Sequence, residues 1–303
     1  MISFYKNRGK YFLLSGLIML IGVVFLVING IELDIQFQGG TLLQYTFSGD
    51  METQELERVV SDASDRNVSV QITQTPAGDK KAVINMAGNE SISTETLAAI
   101  ENALDNAYPD ANFSQYEINN VEPYFGKKFF QNGITAIILS SILIVIYVWI
   151  RFRKISGLSA GVMALVALFH DLLVAFFIHV IFGIPIGENF VAVALTIIAY
   201  SINDTIVIYD RIRENSKLFP KMPIDEMVDK SINQSLTRSI NTNLAVFVSI
   251  FLVFLFAAAD GITSITSFAL PMAIGSLSGC YSTICLAGPL WVMWKKRKSK
   301  ARA

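Results

Sequence analysis

Six stretches of this 303-residue chain, residues 11–30, 129–150, 157–182, 189–209, 243–262 and 267–294, are almost purely apolar. Each is long enough to cross a hydrocarbon core of about 30 Å as a helix, for which about 20 apolar residues suffice. They, and not a soluble core, absorb the 52% hydrophobic content, the low 16% charge and the mean hydropathy of +0.48. The bilayer is therefore the main solvent. Lys6, Arg8 and Lys10 before the first run could form the basic end of a signal peptide. The run is too long for that, and no small-x-small cleavage site follows, so an uncleaved first helix is expected. Cys280 and Cys285 both fall inside the last run, which excludes a secreted disulfide framework and offers no metal-ligand spacing. A net charge of −1 argues against a nucleic-acid partner.

Basic side chains resist translocation, so their distribution predicts orientation. Segment 1–10, loop 151–156, segment 210–240 and tail 295–303 together hold 18 of the 24 Lys and Arg residues. The alternate connections, Gly183 to Glu188 and Asp260 to Thr266, hold none. Both termini are expected in the cytoplasm, and residues 31–128 outside it. That outer segment carries 16 Asp and Glu against six Lys and Arg, which suits solvation and not an anionic lipid surface.

Within 31–128, Thr41 to Phe47 alternates as a half-buried strand, and Thr53 to Arg66 places Leu56, Val59, Val60 and Ala63 on one helical face. Val68 to Thr73 and Ala82 to Met86 read as strands around a turn at Pro76 to Asp79. Ser93 to Ala107 reads as a second helix with Leu97, Ile100 and Leu104 inward, and Phe113 to Val121 as a last strand. The order βαββαβ predicts a ferredoxin-like α+β domain. It contains no His, no Cys and no nucleophile constellation, which favours a docking module over catalysis.

Ionisable groups at bilayer depth cost about 2.5 to 3.5 kcal/mol on insertion scales, so each needs a partner or a task. Thr196, Tyr200, Asn203 and Asp204 recur at i, i+4, i+7 and i+8 in the fourth run, which places them on one helical face. Gln234, Arg238, Asn241 and Thr242 repeat the spacing at the start of the fifth. Two complementary seams suggest an ion pair between Asp204 and Arg238 that proton binding would switch. The plainer alternative makes Asp204 a helix-orienting group and Arg238 a snorkelling anchor. Asp171 shares a face with Ala160, Ala164 and Ala167. It either anchors helix packing by hydrogen bonds or titrates with His170. His179 reads as an interfacial residue without a role. In the last run Pro271, Gly275, Gly279 and Thr283 recur every four residues, a small-residue groove with an expected kink. Asp210 to Asn215 is either an interaction surface or a solvated helix extension with internal salt bridges.

No Walker lysine loop, His-Glu-x-x-His or Gly-x-Ser-x-Gly occurs, so neither an ATP-driven pump nor an intramembrane hydrolase has motif support. The stretch from Tyr200-Ser-Ile-Asn-Asp204 through Asp210-Arg-Ile-Arg-Glu-Asn215, followed by Ser231 to Thr242, resembles the SecF subunits of the SecD/SecF protein translocase family. That family lies within the resistance-nodulation-division superfamily. Ala167-Leu-Phe-His-Asp171, Phe37-Gln-Gly-Gly-Thr41 and the layout of six spans with one large external domain carry the resemblance further. It departs from the family at Ala199, where Gly is common, and at Gln36, where Asp is common.

The resemblance implies a subunit without hydrolytic chemistry or cofactor. With a SecD-like partner supplying the other half, it would use proton or sodium motive force to draw preproteins outward from the SecYEG channel. It carries the family's essential aspartate and arginine onto Asp204 and Arg238, with Tyr200, Asn203, Thr196, Gln234, Asn241 and Asp171 as the supporting polar seam. Two other functions compete. One is half of an ion-driven small-molecule exporter of the same superfamily, for which a single external domain of about a hundred residues leaves little room for a pocket of about 300 to 1,000 Å³. The other is a structural assembly factor, in which Asp204 would tolerate Asn.

Overall fold

A computed structural model describes residues 2–34, 39–66, 68–74, 80–87, 92–121, 123–260 and 262–300. The predicted turn at Pro76 to Asp79, the Gln36 to Gln38 part of the exit from the first span, and Arg302 lie outside the described residues. The first membrane helix, α1 (Arg8–Asn29), stops at Gly30. That residue sits at φ 72°, ψ −162°, a region essentially reserved for glycine.

The outer domain follows as β1 (Gly40–Phe47), α2 (Thr53–Ser64), β2 (Val68–Gln74), β3 (Lys80–Ala87), α3 (Thr94–Ala107) and β4 (Ser114–Val121). The sheet order is β2-β3-β1-β4, with every neighbouring pair antiparallel, which is the ferredoxin-like topology. Alternation does the work: Leu43, Tyr45 and Phe47 of β1 point inward with Val68, Val70, Ala82, Ile84 and Met86. They meet Leu56 and Val60 of α2 and Ile100 and Leu104 of α3 in one core. Ser93 caps α3, its Oγ accepting from the Thr96 N–H at 3.1 Å, a contribution of about 1 kcal/mol.

The remaining spans are α4 (Pro123–Arg151), α5 (Gly157–Phe182), α6 (Glu188–Leu218), α7 (Ile224–Ala259) and α8 (Thr263–Ser282). A π turn at Thr283–Ala287 carries α8 into α9 (Gly288–Lys300). Among the described residues, six helical stretches are long and apolar enough to cross a membrane. Half or more of the apolar stretch is buried in α5, α6 and the α8–α9 span, against 11% in α1, α4 and α7. The first three therefore form the inside of the bundle, and the others present apolar faces outward.

Segment 210–240 is almost wholly helical: α6 continues to Leu218, α7 begins at Ile224, and only residues 219–223 turn between them. At 1.5 Å per residue α6 and α7 are about 46 and 54 Å long, so both outreach the hydrocarbon layer. Close packing of α6 on α8 depends on glycine. A Cβ on Gly275 would overlap the Ile197 side chain, and one on Gly279 would lie 3.3 Å from Ser201 Cβ. At the end of the bundle away from the α/β domain, Asp229 accepts from Ser3 Oγ at 2.7 Å and the Tyr5 N–H at 2.9 Å, pinning the N-terminal segment to α7. At the opposite end, the Ile186 N–H donates to Glu32 O at 2.8 Å, and the Asp34 N–H donates to Ile186 O at 3.0 Å. The strand leading to the outer domain is thereby clipped to the α5–α6 turn.

Candidate functional site

Asp204 sits midway along α6 and is 5% exposed. Its neighbour across the helix contact is Asn243 of α7, whose Nδ2 donates to Asp204 Oδ2 and also to Ser239 O at 2.8 Å. The structure thus gives this carboxylate a neutral amide as its direct partner. Arg238 lies within electrostatic reach of Asp204, yet no ion pair joins the two and the Arg238 side chain is exposed.

The rest of the predicted seam divides. Tyr200 is 43% exposed, and Asn203, Asn241 and Thr242 are exposed with it. Thr196 is half-buried and turns its hydroxyl back to Ala192 O at 2.7 Å. Gln234 is engaged elsewhere: its Oε1 accepts from Arg211 Nε and Asn215 Nδ2, both at 2.8 Å. Asp204 therefore stands at the buried edge of a band that includes Tyr200, Asn203, Arg238 and Asn241 and opens outward from this chain. Polar and cationic groups at span depth do not face hydrocarbon, so the band needs a protein neighbour.

Asp171 is the centre of a second polar cluster. It is fully buried, with Oδ2 accepting from Ser201 Oγ at 2.8 Å and Ser282 Oγ at 2.6 Å. Its Oδ1 accepts from Ser278 Oγ at 2.7 Å and lies 3.2 Å from His170 Nδ1. One carboxylate therefore ties α5 to α6 and α8. Thr205 and Thr283, 3.0 Å apart, extend the polar contact to the π turn, and π turns are frequent at functional sites.

Sequence reasoning missed Asn243 and the three serines. Asn243 falls one residue beyond the seam that ends at Thr242, four residues after Ser239 on the same face, a spacing that could have included it. The serines carry no comparable signal. Among Asp210 to Asn215, Asp210 pairs with Arg213 at 2.8 Å and with Arg151 of α4 at 3.0 Å, and Arg211 pairs with Glu214 at 2.6 Å. This is a helix extension laced by ion pairs, one of which reaches a neighbouring span. Among the described residues no cluster of His, Cys, Asp and Glu suits a metal ion.

Comparison with known proteins bears on these residues directly. Residues 99–297, which contain Asp171, Asp204, Arg238 and Asn243, match the family model for the C-terminal part of the protein export membrane proteins SecD and SecF. The protein translocase subunit SecF of Petrotoga mobilis is 31% identical over 99% of this chain and 98% of its own length. That of Alicyclobacillus acidocaldarius is 32% identical over 96% of this chain and 92% of its own. The SecDF translocase subunit of Bacillus subtilis is 31% identical over 98% of this chain, which spans 39% of that longer protein. Among solved structures, SecDF from Thermus thermophilus, a translocon-associated membrane protein, aligns with a TM-score of 0.79 at 26% identity. The alignment covers 97% of this chain and 39% of that one. A SecDF crystal structure in a super-membrane-facing form aligns at 0.69, covering 99% and 40%. The chain thus spans about two fifths of the fused proteins that it matches.

Proposed function

The chain belongs to the SecD/SecF family of protein export membrane proteins, and from that premise we propose that it is the SecF half of an ion-driven accessory to the Sec translocon. In this role it couples proton or sodium motive force to late preprotein translocation. The subunit has no hydrolytic chemistry. Its partner is a SecD-like subunit, which in the fused relatives is part of the same chain. The exposed polar band of Tyr200, Asn203, Arg238 and Asn241 is the surface that such a partner would cover. The termini and the α6–α7 turn lie in the cytoplasm and residues 31–128 lie outside, an orientation supported by the one-sided distribution of Lys and Arg. The outer domain acts on preprotein emerging from SecYEG. The small-molecule exporter alternative loses its footing, because the relatives are translocase subunits.

The observation that carries this reading is a buried carboxylate, Asp204, held by the neutral amide of Asn243 with a cation, Arg238, nearby but unpaired. Ionised Asp204 attracts Arg238 across the α6–α7 contact. A proton taken from the outside cancels that attraction, and Asn243 keeps the neutral carboxyl in place because an amide hydrogen-bonds to either form. Arg238 is then free to move towards the second half of the assembly, and loss of the proton to the cytoplasm restores the attraction. Asp171 and its serines hold α5, α6 and α8 together while α7 moves.

The test is preprotein export in membrane vesicles containing the partner, with ATP withdrawn after initiation and an ion gradient imposed. Wild type should complete export and Asp204→Asn should not, at equal assembly with the partner. Equal completion by both would leave Asp204 a structural residue and favour the scaffold alternative. Gradients of proton or sodium alone identify the ion.

A further inference from the structure

His170 of α5 is a titratable side chain that the Asp204 cycle does not use. Its side chain is 11% exposed and that of its neighbour Asp171 is 0% exposed. His170 Nδ1 lies 3.2 Å from Asp171 Oδ1, and the same carboxylate accepts from Ser201, Ser278 and Ser282. Each carboxylate oxygen thus meets two hydrogen-bonding groups, which fills the four lone-pair sites of an ionised carboxylate. A neutral Asp171 would need one of those places for its own proton. An anion buried this deeply requires a counter-charge, and among the described residues that touch it His170 is the side chain able to carry one. Facing an acceptor, Nδ1 holds the ring hydrogen. On the other side of the ring, Nε2 is buried without a hydrogen-bond partner, a costly state for a polar atom. The ring stands 6.0 Å from that of Tyr281 of α8. Tyr281 is fixed from α1, its hydroxyl donating to Tyr11 O at 2.7 Å and lying 3.2 Å from Ser15 Oγ.

We propose that His170 is a second proton-binding site of the membrane domain, taking its proton at Nε2 with the ionised Asp171 as counter-charge. The Nε2 lone pair accepts the proton, the ring becomes an imidazolium whose Nδ1–H stays on Asp171, and the pair passes from one negative charge to none. The positive ring then faces the Tyr281 ring at the edge of cation–π range. The other ionisable groups on the elements packed around it are Cys280 and Tyr281 of α8, Tyr11 of α1, Tyr200 and Asp204 of α6 and Cys285 of the π turn. Between Phe129 and Ile146 α4 brings none, and Arg153 and Lys154 lie before α5 begins. The basic helix α9 meets α5 near its start, where Trp291 Nε1 donates to Ser159 Oγ at 3.0 Å, away from His170. Because Asp171 ties α5 to α6 and α8, the proton decides whether this clamp is built on a bare anion or on a neutral pair. Ser201, one of its donors, stands one helical turn before Asp204 on α6. Asp204 makes none of the contacts of this site, so either site can fail without the other.

The test uses the full chain in lipid nanodiscs with ¹⁵N-labelled histidine, which gives two ring systems, His170 and His179, assigned with His179→Gln. At high pH His170 should be the Nδ1–H tautomer, and on acidification it should gain one proton at Nε2. With ¹³C-labelled aspartate, the Asp171 carboxyl should stay ionised throughout. Asp171→Asn keeps the shape and removes the charge, so it should lower the proton affinity of His170 by about tenfold or more, with the His179 signals unmoved. Ser278→Ala answers the same question if the asparagine variant does not fold. It withdraws one hydroxyl from the anion and leaves the charge, so His170 should hold its proton more tightly. A His170 ring that remains singly protonated down to about pH 4, a proton that settles on Asp171 instead, or a titration indifferent to both variants would overturn the proposal.

Discussion

Replacing Asp171 with alanine removes the acceptor for three serine hydroxyls from two helices, Ser201 of α6 and Ser278 and Ser282 of α8. Interhelical hydrogen bonds within membranes average about 0.6 kcal/mol and reach about 1.7 kcal/mol at most. Three of them together set the expected loss for Asp171→Ala at about 2 kcal/mol. Each serine-to-alanine change alone should cost on the order of 0.6 kcal/mol. The diagnostic quantity is the coupling: in the Asp171→Ala background each serine substitution should become nearly neutral, because its partner is already gone. Asp171→Asn keeps one acceptor oxygen and gains a donor that Ser278 can accept from, so it should cost less than alanine. Steric-trap or SDS unfolding of the full chain in bicelles measures all of these. Serine effects that simply add to that of Asp171→Ala, or an Asp171→Ala loss below about 0.5 kcal/mol, would refute the clamp role given to this carboxylate.

Three further outcomes follow from the packing and the charges. Gly275→Val should destabilise the chain by about 1 to 3 kcal/mol through overpacking against Ile197, and Ile197→Ala should recover part of that loss, read in the same unfolding assay. Tyr45 of β1 is 1% exposed with an unpartnered hydroxyl, and burial pushes its phenol up to about 12. The folded domain therefore favours neutral Tyr45, so this stabilisation is complete below about pH 10, the unfolded value, and is lost as pH rises towards 12. Over that window denaturation should show a decline of up to about 2 kcal/mol, which Tyr45→Phe removes. Asp229→Ala should loosen Ser3 and Tyr5 from α7, and Asp229→Ala with Asn233→Ala, which also frees Ile2, should speed proteolysis of this segment further.

Much of the architecture was legible because it rests on simple periodicities. Six apolar runs identify the spans, and alternation in Thr41–Phe47 with the three-to-four spacing of Leu56, Val60, Ile100 and Leu104 identifies the outer domain. The extent of α6 and α7 was not legible, since polarity in 210–240 marks where hydrocarbon ends and not where a helix ends. Asp204 and Arg238 stand out by their cost in a membrane, but whether they touch depends on a rotation of α7 against α6 that spacing cannot fix. The helix contact instead brings Asn243 to Asp204 and leaves Gln234 with Arg211 and Asn215. The serines around Asp171 were invisible for a different reason. A serine in an apolar helix satisfies itself on the preceding turn, as Ser141, Ser249 and Ser276 do here, so composition alone does not separate those that reach across from those that do not.

The most direct test of ion coupling is gradient-driven proton or sodium movement through proteoliposomes containing this chain and its SecD-like partner, followed with an ion-sensitive dye. Wild type should pass ions, and Asp204→Asn should pass none while remaining assembled. Undiminished flux through Asp204→Asn would contradict the account, because the buried carboxylate would then not lie on the ion's path.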